Sequence, residues 1–436
     1  MSTRSYASFV GAGPGLTPVQ PEDDSLIMTF RRLLLEEVDL NELSKLDANQ
    51  RRARLERVIA HLVSREGVIL STAERNQLIR RVVDEAVGLG VLEPILADPT
   101  VSEIMINGYQ TIYVERAGVL ERWHGAFSSE EQLMQTIDRI VSTVNRRVDE
   151  SSPMADARLP ADARMPRGAR VNVVLPPLAL DGPSVTIRLF PQDISLAKLI
   201  EWGSITEQVA ALLRVCVECR FNIVVSGGTG SGKTTMLNAL SSFIGVGERI
   251  VTIEDAAELS LAQPHTVRLE TRPPNAEGRG QVTIRDLVRN ALRMRPDRIV
   301  VGECRGGEAL DMLQAMNTGH EGSLTTVHAN SAEDALSRLE TLATMSDVQI
   351  PFQAVRDQVN SAVDLIVQLG RGADGSRRVT EVAFVASRRH EAFRLESVAT
   401  WRSSHRGSGA FVHHPLPADL AARLAEVLPE LPEWTV

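Results

Sequence analysis

The residues best suited to chemistry in this chain lie between Phe221 and Thr235, where glycines and one lysine follow a short apolar run. The run itself predicts a buried strand, and the residues after the lysine are apolar at helical spacing. Between them stands the spacing Gly-x-x-x-x-Gly-Lys-Thr, which is the P-loop (Walker A) pattern. Such glycines let several backbone N–H groups converge on one anion at the positive end of a helix. The candidate nucleotide-binding residues are Gly227, Gly228, Thr229, Gly230, Ser231, Gly232, Lys233, Thr234 and Thr235.

Lysine is rare in this sequence. The three lysines are Lys45, Lys198 and Lys233, and the chain uses arginine almost everywhere else. A lysine inside the glycine loop indicates that the site needs a slim ammonium group rather than a planar guanidinium. Its charge suits the outer phosphates of a nucleotide, and the hydroxyl of Thr234 suits Mg²⁺.

The composition is that of a globular protein whose cores contain few aromatic side chains. The 436 residues allow about two to three domains, and 43% of them are hydrophobic but only 4% aromatic. The formal net charge of −9 argues against a nucleic-acid surface, so no nucleic acid is expected as a partner. No apolar run approaches the ~20 residues of a membrane span, and the N-terminus lacks a signal-peptide core. We therefore expect a cytoplasmic protein with a flexible tail over residues 1–24.

Hydrophobic periodicity divides the rest of the chain into a helical segment and two domains. Apolar residues at helical spacing predict helices over residues 25–68. A capped helix followed by short strands and turns predicts a smaller α+β N-terminal domain over residues 69–190. A linker with one short helix is expected over residues 191–204. Alternating strands and helices over residues 205–436 predict an α/β domain with a parallel sheet and a C-terminal helical part.

Polar side chains end three predicted strands of the α/β domain. Ligands of open parallel sheets lie beyond the carboxyl ends of the strands, so these side chains are expected at the P-loop edge. Glu254 is a candidate general base, with Asp255 and Glu258 as alternatives. His328 is a candidate contact of the γ-phosphate, and His320 could support it.

Glu303 ends the strand between those that end in Glu254 and His328. Its position fits that of a carboxylate that holds Mg²⁺ together with Thr234. Gly302 stands where many P-loop proteins have aspartate, so a contact of Glu303 with the metal through water is expected. Arg295, Arg298 and Arg305 flank this strand, and some of them are expected to form ion pairs rather than phosphate contacts.

Arginines are frequent near the end of the predicted α+β domain, and two interpretations of them stay open. They form a solvated charged face, or some of them reach a nucleotide bound by the adjacent P-loop domain. The residues concerned are Arg158, Arg164, Arg167, Arg170 and Arg188.

Four blocks of the α/β domain are GGTGSGKTT (227–235), RIVTIEDAAEL (249–259), RMRPDRIVVGECRGGEALDML (293–313) and TGHEGSLTTVHANS (318–331). Their content and order resemble the type II/type IV secretion ATPase superfamily, with its Walker A, Asp box, Walker B and His box. The stretches SEIMING (102–108) and DESSPMADARLP (149–160) resemble the tight-adherence (Tad/Cpa, Flp-type) pilus assembly ATPases in particular. The similarity departs at Leu189, where lysine is common, and after Val385.

This resemblance implies a hexameric cytoplasmic motor that is docked peripherally on polytopic inner-membrane platform proteins. It implies a RecA-like ATPase domain, a mobile N-terminal domain, and ATP with Mg²⁺ between the two. The implied activity is ATP hydrolysis that powers assembly or retraction of a pilus, or protein secretion, with pilin or secreted substrate as an indirect partner. Family roles then fall on Lys233, Thr234, Glu254, Glu303 and His328, with Arg170 and Arg188 on the nucleotide-facing edge of the N-terminal domain.

Two other functions use the same motif. A RecA-like nucleic-acid motor shares the P-loop sheet and the hexamer, but it is expected to carry a basic groove with aromatic side chains. A nucleotide-gated scaffold with negligible turnover would not need the acidic and histidine side chains at the strand ends. The acidic, aromatic-poor composition disfavours the first function, and the presence of those side chains disfavours the second.

Overall fold

The computed structural model describes two compact units, which meet in the sequence at Phe190 and Pro191. The expected tail lies outside the described residues as far as residue 20, and residues 191–193 of the expected linker do so too. The described residues are 21–38, 46, 48–116, 118–144, 146–162, 165–190, 194–275, 278–372, 375–403, 409–427 and 434. Within this part of the chain, no helix has the length and apolarity needed to cross a membrane.

The first unit begins with three helices that bury apolar stripes against one another. They are α1 (Pro21–Glu37), α2 (Ala48–Arg65) and α3 (Thr72–Val87). Ser71 and Glu74 form the predicted capping box, in which each side chain accepts a hydrogen bond from the other residue's backbone N–H. The core of the three helices contains Ile27, Phe30, Leu34, Leu55, Ile59, Leu62, Val63, Leu78, Val82 and Val83.

An antiparallel six-stranded sheet forms the rest of the first unit, in the order β3-β2-β1-β6-β5-β4. Its elements are α4 (Glu93–Leu96), β1 (Val101–Asn107), β2 (Thr111–Arg116), β3 (Val119–Arg122), α5 (Glu130–Ser142), β4 (Met154–Leu159), β5 (Ala169–Val174) and β6 (Ser184–Leu189). Alternate strand residues are buried with the apolar side of α5 in one core. The strands that carry Arg170 and Thr186 pair directly, because β5 and β6 are antiparallel neighbours.

The second unit is built on a nine-stranded sheet in the order β15-β14-β13-β12-β7-β11-β10-β8-β9. The strands from β12 to β9 in this order run parallel, and β12 to β15 form an antiparallel extension. The expectation of an α/β fold with a parallel-rich sheet is therefore confirmed. The strands are β7 (Ile223–Gly227), β8 (Ile250–Glu254), β9 (Thr266–Glu270), β10 (Arg298–Cys304), β11 (Leu324–Val327), β12 (Leu365–Arg371), β13 (Arg377–Val385), β14 (Leu395–Ser403) and β15 (Gly409–His413).

Helices cover both faces of this sheet, so each face has its own apolar core. The helices are α6 (Leu196–Glu201), α7 (Glu207–Glu218), α8 (Lys233–Ser241), α9 (Ile284–Ala291), α10 (Glu308–Asn317), α11 (Ala332–Thr344), α12 (Phe352–Ala362) and α13 (Ala418–Val427). One core joins α6, α7, α8 and α13 to the sheet, and the other joins α9 to α12. Parallel strands covered on both sides account for the almost continuously apolar sequences of β7, β8 and β10.

A buried guanidinium group ties the strands together at the amino edge of this sheet, away from the P-loop. Arg298 is fully buried at the start of β10. Its Nε and Nη2 donate to the two carboxylate oxygens of Glu248 at 2.7 and 3.1 Å. Its Nη1 and Nη2 also donate to the carbonyls of Gly322 and Val217 at 3.1 and 2.9 Å. Burial acts to raise the pKa of Glu248, but the hydrogen bond and charge of Arg298 outweigh burial and lower it.

Replacement of Arg298 by methionine is expected to lower the free energy of unfolding by about 3–5 kcal/mol, because Glu248 would keep a partly buried charge without its main partner. Denaturant unfolding of the full chain at neutral pH measures the change. The exposed Arg293→Met is the matched control and should change the free energy by no more than about 0.5 kcal/mol. Equal losses in the two variants would show that the buried network does not stabilise this edge.

Candidate active site

Glycines allow the loop after β7 to pack tightly against its neighbours. A Cβ on Gly227 would lie 2.5 Å from Ser231 Oγ and 2.8 Å from the carbonyl oxygen of Leu369 on β12, so a side chain does not fit there. Gly232 has a φ of +96° and is the N-cap residue directly before α8. A left-handed conformation at that position favours glycine. Gly228, Thr229 and Gly230 form the exposed crest of the loop.

Lys233 is the first residue of α8, and its side chain is only 8% exposed. Its Nζ donates to the carbonyl oxygens of Gly227 and Gly228 at 3.1 and 3.0 Å. The same Nζ lies 3.2 Å from Nε2 of His328. Thr234 and Thr235 follow in the first turn of α8 and are half-buried. The ammonium group is thus held inside the loop by carbonyl dipoles, and the helix N-terminus lies beside it.

His328 directly follows β11 and links Lys233 to Glu303 at the end of β10. Its Nε2 lies 2.8 Å from Oε1 of Glu303. Burial is the main cause that lowers the pKa of His328; the charges of Lys233 and Arg305 also lower it, and Glu303 opposes them. The histidine is therefore neutral at pH 7 in this arrangement.

Arg305 occupies the other side of the Glu303 carboxylate. Its Nη2 and Nε donate to Glu303 Oε2 at 2.6 and 2.9 Å, and its Nη1 lies 3.7 Å from the exposed Asp255. This arrangement agrees with the expectation that some arginines beside β10 form ion pairs. The nearest partners of Glu303 are thus Arg305 and His328.

Glu254, at the end of β8, is 4% exposed and has a different environment on each carboxylate oxygen. Its Oε1 accepts hydrogen bonds from the backbone N–H groups of Glu258 and Leu259 at 3.0 and 2.9 Å. Its Oε2 is buried and has no hydrogen-bond partner among the described residues. Burial raises the pKa of Glu254 to about 7, against the lowering effect of the two backbone hydrogen bonds. A carboxyl group with these properties can exchange a proton near neutral pH.

The glycine at position 302 has a packing reason. A Cβ built on Gly302 would lie 2.9 Å from Cγ of Glu254. An aspartate, which many P-loop proteins have at this place, would therefore displace Glu254. The Gly302 carbonyl also accepts a hydrogen bond from Thr326 Oγ1 at 2.8 Å, which couples β10 to β11.

Of the weaker candidates, His320 lies at the other edge of the sheet. It precedes β11 and its carbonyl accepts a hydrogen bond from Ser323, whereas His328 follows the strand. The two histidines are thus at opposite ends of β11. Asp255 is exposed and near Arg305, and Glu258 offers its backbone N–H to Glu254.

The two arginines assigned to the nucleotide-facing edge lie side by side in the first unit. Arg170 on β5 and Arg188 on β6 are direct cross-strand partners, with Arg158 and Glu103 opposite them on the flanking strands. Arg188 is exposed, and Nη2 of Arg170 lies 3.9 Å from Oδ1 of Asp156.

The remaining arginines of that group have other environments. The guanidinium of Arg158 lies 5.7 Å from the ring centre of Phe190. Burial lowers the pKa of the half-buried Arg167. Arg164 lies outside the described residues.

Gln368 was not predicted from the sequence; it is 4% exposed on β12 beside the P-loop strand. Its Nε2 donates to the carbonyl of Ala329 at 3.3 Å, directly after His328. A glutamine within the apolar strand Leu365–Arg371 was the available signal, because a buried amide needs partners.

Of the groups that the sequence placed at strand ends, His328 contacts both Lys233 and Glu303, and Glu254 ends the strand next to β10. The chemistry of these groups fits a nucleoside triphosphate. The loop supplies backbone N–H groups and one ammonium for phosphate oxygens. Thr234 and Glu303 supply oxygen ligands of the kind that Mg²⁺ takes beside phosphates, and the ion would neutralise phosphate charge there. Glu254 supplies a buried carboxyl group with an unpartnered oxygen.

Comparison with known proteins gives one consistent assignment. The family model described as "Type II/IV secretion system protein" matches residues 85–412. The conjugal transfer protein TrbB of Rhizobium radiobacter is 35% identical over 316 residues, which are 70% of this chain and 90% of that protein. The type IV secretion system protein VirB11 of Brucella suis is 32% identical over 339 residues, which are 70% of this chain and 91% of that protein.

Solved structures with the same fold include the pilus retraction motor PilT with bound ADP. The match covers 78% of this chain and 87% of the PilT chain, at 21% identity and a TM-score of 0.50. The expected RecA-like fold is therefore confirmed by both the sheet topology and this likeness. On the family match and the similarity to TrbB and VirB11, the chain belongs to the type II/IV secretion system protein family of ATPases.

Proposed function

We propose that this protein hydrolyses ATP to ADP and phosphate at the site around Lys233. The observation that carries the proposal is the meeting of a P-loop lysine, His328 and Glu303 within one chain of contacts at the carboxyl edge of the sheet. Glu254 lies at the end of the strand next to β10 and provides the carboxyl group. A fold of this kind binds ligands at that edge, so the position of these residues supports the function.

The proposed roles follow from the environment of each group. The loop N–H groups and Lys233 hold the outer phosphates, for which Lys233 Nζ would exchange carbonyl partners for phosphate oxygens. Thr234 and Glu303 hold Mg²⁺, with Glu303 in contact through water. Neutral His328 contacts the γ-phosphate, and Glu254 accepts a proton from the attacking water.

Arg170 and Arg188 are proposed to contact the same nucleotide from the N-terminal domain. An arginine suits a transferring phosphoryl group because its planar fork pairs with oxygen atoms at two points. The side chain of Arg188 is exposed, whereas Nη2 of Arg170 lies 3.9 Å from Oδ1 of Asp156, so Arg188 is the residue chosen for the test below.

Hydrolysis is proposed to drive a homohexamer of the Tad pilus type, docked on polytopic platform proteins at the cytoplasmic face of the inner membrane. The machine would assemble a type IV-class pilus, or retract it, or secrete protein. The likeness to a pilus retraction motor and to a type IV secretion protein supports this class of work. No nucleic acid is expected as a partner.

Lys233→Ala is expected to weaken ATP binding by about 10- to 150-fold, because a charged hydrogen-bonding group is worth about 1.5–3 kcal/mol. Turnover at fixed ATP should fall with it while the chain stays folded. Calorimetric titration and phosphate release measure the two effects. Lys198→Ala, which removes an exposed lysine paired with Glu201, is the matched control and should change neither.

Glu303→Gln separates binding from catalysis in the same assays. It should retain ATP binding and lose turnover, as expected of a metal and phosphate contact. Wild-type turnover in the Lys233→Ala protein would exclude this site as the place of hydrolysis.

The pKa of Glu254 predicts a pH dependence. A general base works when deprotonated, so kcat/KM should rise as pH increases through about 7. Glu254→Gln should lower kcat by about 10²–10⁴-fold, the usual contribution of such a base.

Two variants test this assignment of the base. Gly302→Ala should also lower kcat, because its Cβ would meet the Glu254 side chain at 2.9 Å. Glu270→Gln changes the carboxyl group opposite Glu254 on β9 and should keep wild-type kcat and pH profile. A pH profile that is unchanged in Glu254→Gln would assign proton transfer to another group.

Arg188→Ala is expected to lower turnover about tenfold or more, on the scale of a charged hydrogen bond. The unfolding free energy should change by no more than about 0.5 kcal/mol, because the side chain is exposed. Arg122→Ala, an exposed arginine on β3, is the control and should keep wild-type turnover. A loss of stability as large as the loss of turnover would make Arg188 a structural residue.

A further inference from the structure

Two arginines with no assigned role stand opposite each other where β12 ends and β13 begins. Arg371 and Arg377 are direct cross-strand partners in this antiparallel pair. Both side chains are exposed, and neither makes an ion pair or hydrogen bond with the rest of the described chain. Like charges directly opposite each other on neighbouring strands destabilise a sheet. An anion between the two guanidinium groups would remove that cost.

The pair lies beside the P-loop. β12 is the parallel neighbour of β7, and Leu369 on β12 is in register with Gly227. Arg371 follows Leu369 by two residues, so both point to the same face of the sheet. That face is the one covered by α8, because Leu369 and Leu237 share a core.

Arg377 approaches the start of α8 directly. Its Cδ lies 3.9 Å from the position that a Cβ on Gly232 would occupy. Gly232 is the N-cap of α8, where backbone N–H groups and the helix dipole favour an anion. The backbone of Arg377 is held in place, because its carbonyl oxygen accepts a hydrogen bond from Ser204 Oγ at 2.7 Å.

The order of the strands says which part of a nucleotide these arginines would meet. β7 stands between β12 on one side and β11 on the other, with β10 and β8 beyond β11. His328, Glu303 and Glu254 all come from the β11 side, so the bond to be cleaved lies there. Arg371 and Arg377 come from the β12 side, which is the flank away from that bond.

We propose that Arg371 and Arg377 together bind the α-phosphate of a nucleoside di- or triphosphate held by the P-loop. This inference rests on the nucleotide site proposed above and adds two residues to it. Because ADP and ATP share the α-phosphate, the pair sets affinity for both nucleotides and takes no part in cleavage. A phosphate contact carries no preference for the base.

Arg378 offers a matched control on the same strand. It is the next residue after Arg377, so its side chain leaves the opposite face of the sheet. Its guanidinium lies 4.4 Å from the ring centre of Trp401 and contacts Ser376. Arg378→Gln therefore removes one positive charge from β13 without removing a group aimed at the P-loop.

The test compares the full chain with the double variant Arg371→Gln/Arg377→Gln, with Arg378→Gln and with Lys233→Ala. Calorimetric titrations give the Kd for ADP, ATP and GDP, and steady-state assays give KM and kcat. The double variant should raise Kd for ADP, ATP and GDP by about the same factor, tenfold or more, which corresponds to about 1.4 kcal/mol for each tenfold. KM for ATP should rise with Kd, and kcat at saturation should stay within about twofold, because only shared binding is lost. Arg378→Gln should leave all these constants unchanged.

A thermal scan distinguishes a binding role from a structural one. Without nucleotide, the double variant should melt at the wild-type temperature or above it, because a like-charge pair has been removed. Added ADP should raise the melting temperature of the double variant by less than it raises that of the wild type.

Three results would overturn the proposal: an unchanged Kd, a loss of kcat with unchanged KM, or a loss confined to adenine nucleotides. If the wild type itself binds no nucleotide, the proposed function fails. If Lys233→Ala loses binding while the double variant does not, only the present inference fails.

Discussion

A lysine ammonium that is almost removed from water governs the arrangement of the whole site. A buried charge is costly unless dipoles and counter-charges surround it. Around Lys233 these are two loop carbonyls within 3.1 Å, a histidine at 3.2 Å and, behind the histidine, Glu303. The same charge helps to keep His328 neutral, since it adds to burial in lowering the pKa of the imidazole. The phosphate loop, the histidine and the acidic strand end therefore depend on one another.

Close packing of strands brings these groups together, and it requires glycine at two places for different reasons. Gly227 lets the loop approach β12, and Gly302 leaves room for the side chain of Glu254. At the opposite edge, the guanidinium of Arg298 fills the space beside Gly322, where a Cβ would lie 1.7 Å from its Nη1. The carboxyl edge is thus left open for a ligand, while the amino edge is closed by a buried ion pair and backbone hydrogen bonds.

Local patterns predicted which polar residues end the strands, but not the contacts between distant strands. The P-loop spacing and the polar ends of β8, β10 and β11 were visible because each signal lies within a few residues. The reason for Gly302 was not visible, since its neighbour Glu254 is 48 positions away and is brought near only by parallel pairing of β8 with β10. His320 shows the same limit: eight positions separate it from His328, and only the extent of β11 shows that they lie at opposite edges. The cross-strand pairs of Arg170 with Arg188 and Arg371 with Arg377 likewise depend on register, which composition does not reveal.

The placement of charges on the two sides of β7 bears on how such a site could drive movement. A ligand shifts a conformational equilibrium only by the difference between its affinities for the two states. Groups that hold parts common to ATP and ADP stabilise both complexes equally, so they keep the nucleotide bound but add nothing to that difference. The difference must come from groups that contact the γ-phosphate. In the proposed site these groups lie on the β11 side, where His328 joins Lys233 to Glu303. Arg305 extends this group of contacts, because it pairs with Glu303 and lies beside Asp255 at the end of β8. In the proposed site, a γ-phosphate that draws Lys233 or His328 away from its present partners would change the contacts at the ends of β8, β10 and β11 together. A short chain of polar contacts would thereby convert the binding of one phosphate into a shift of several strand ends.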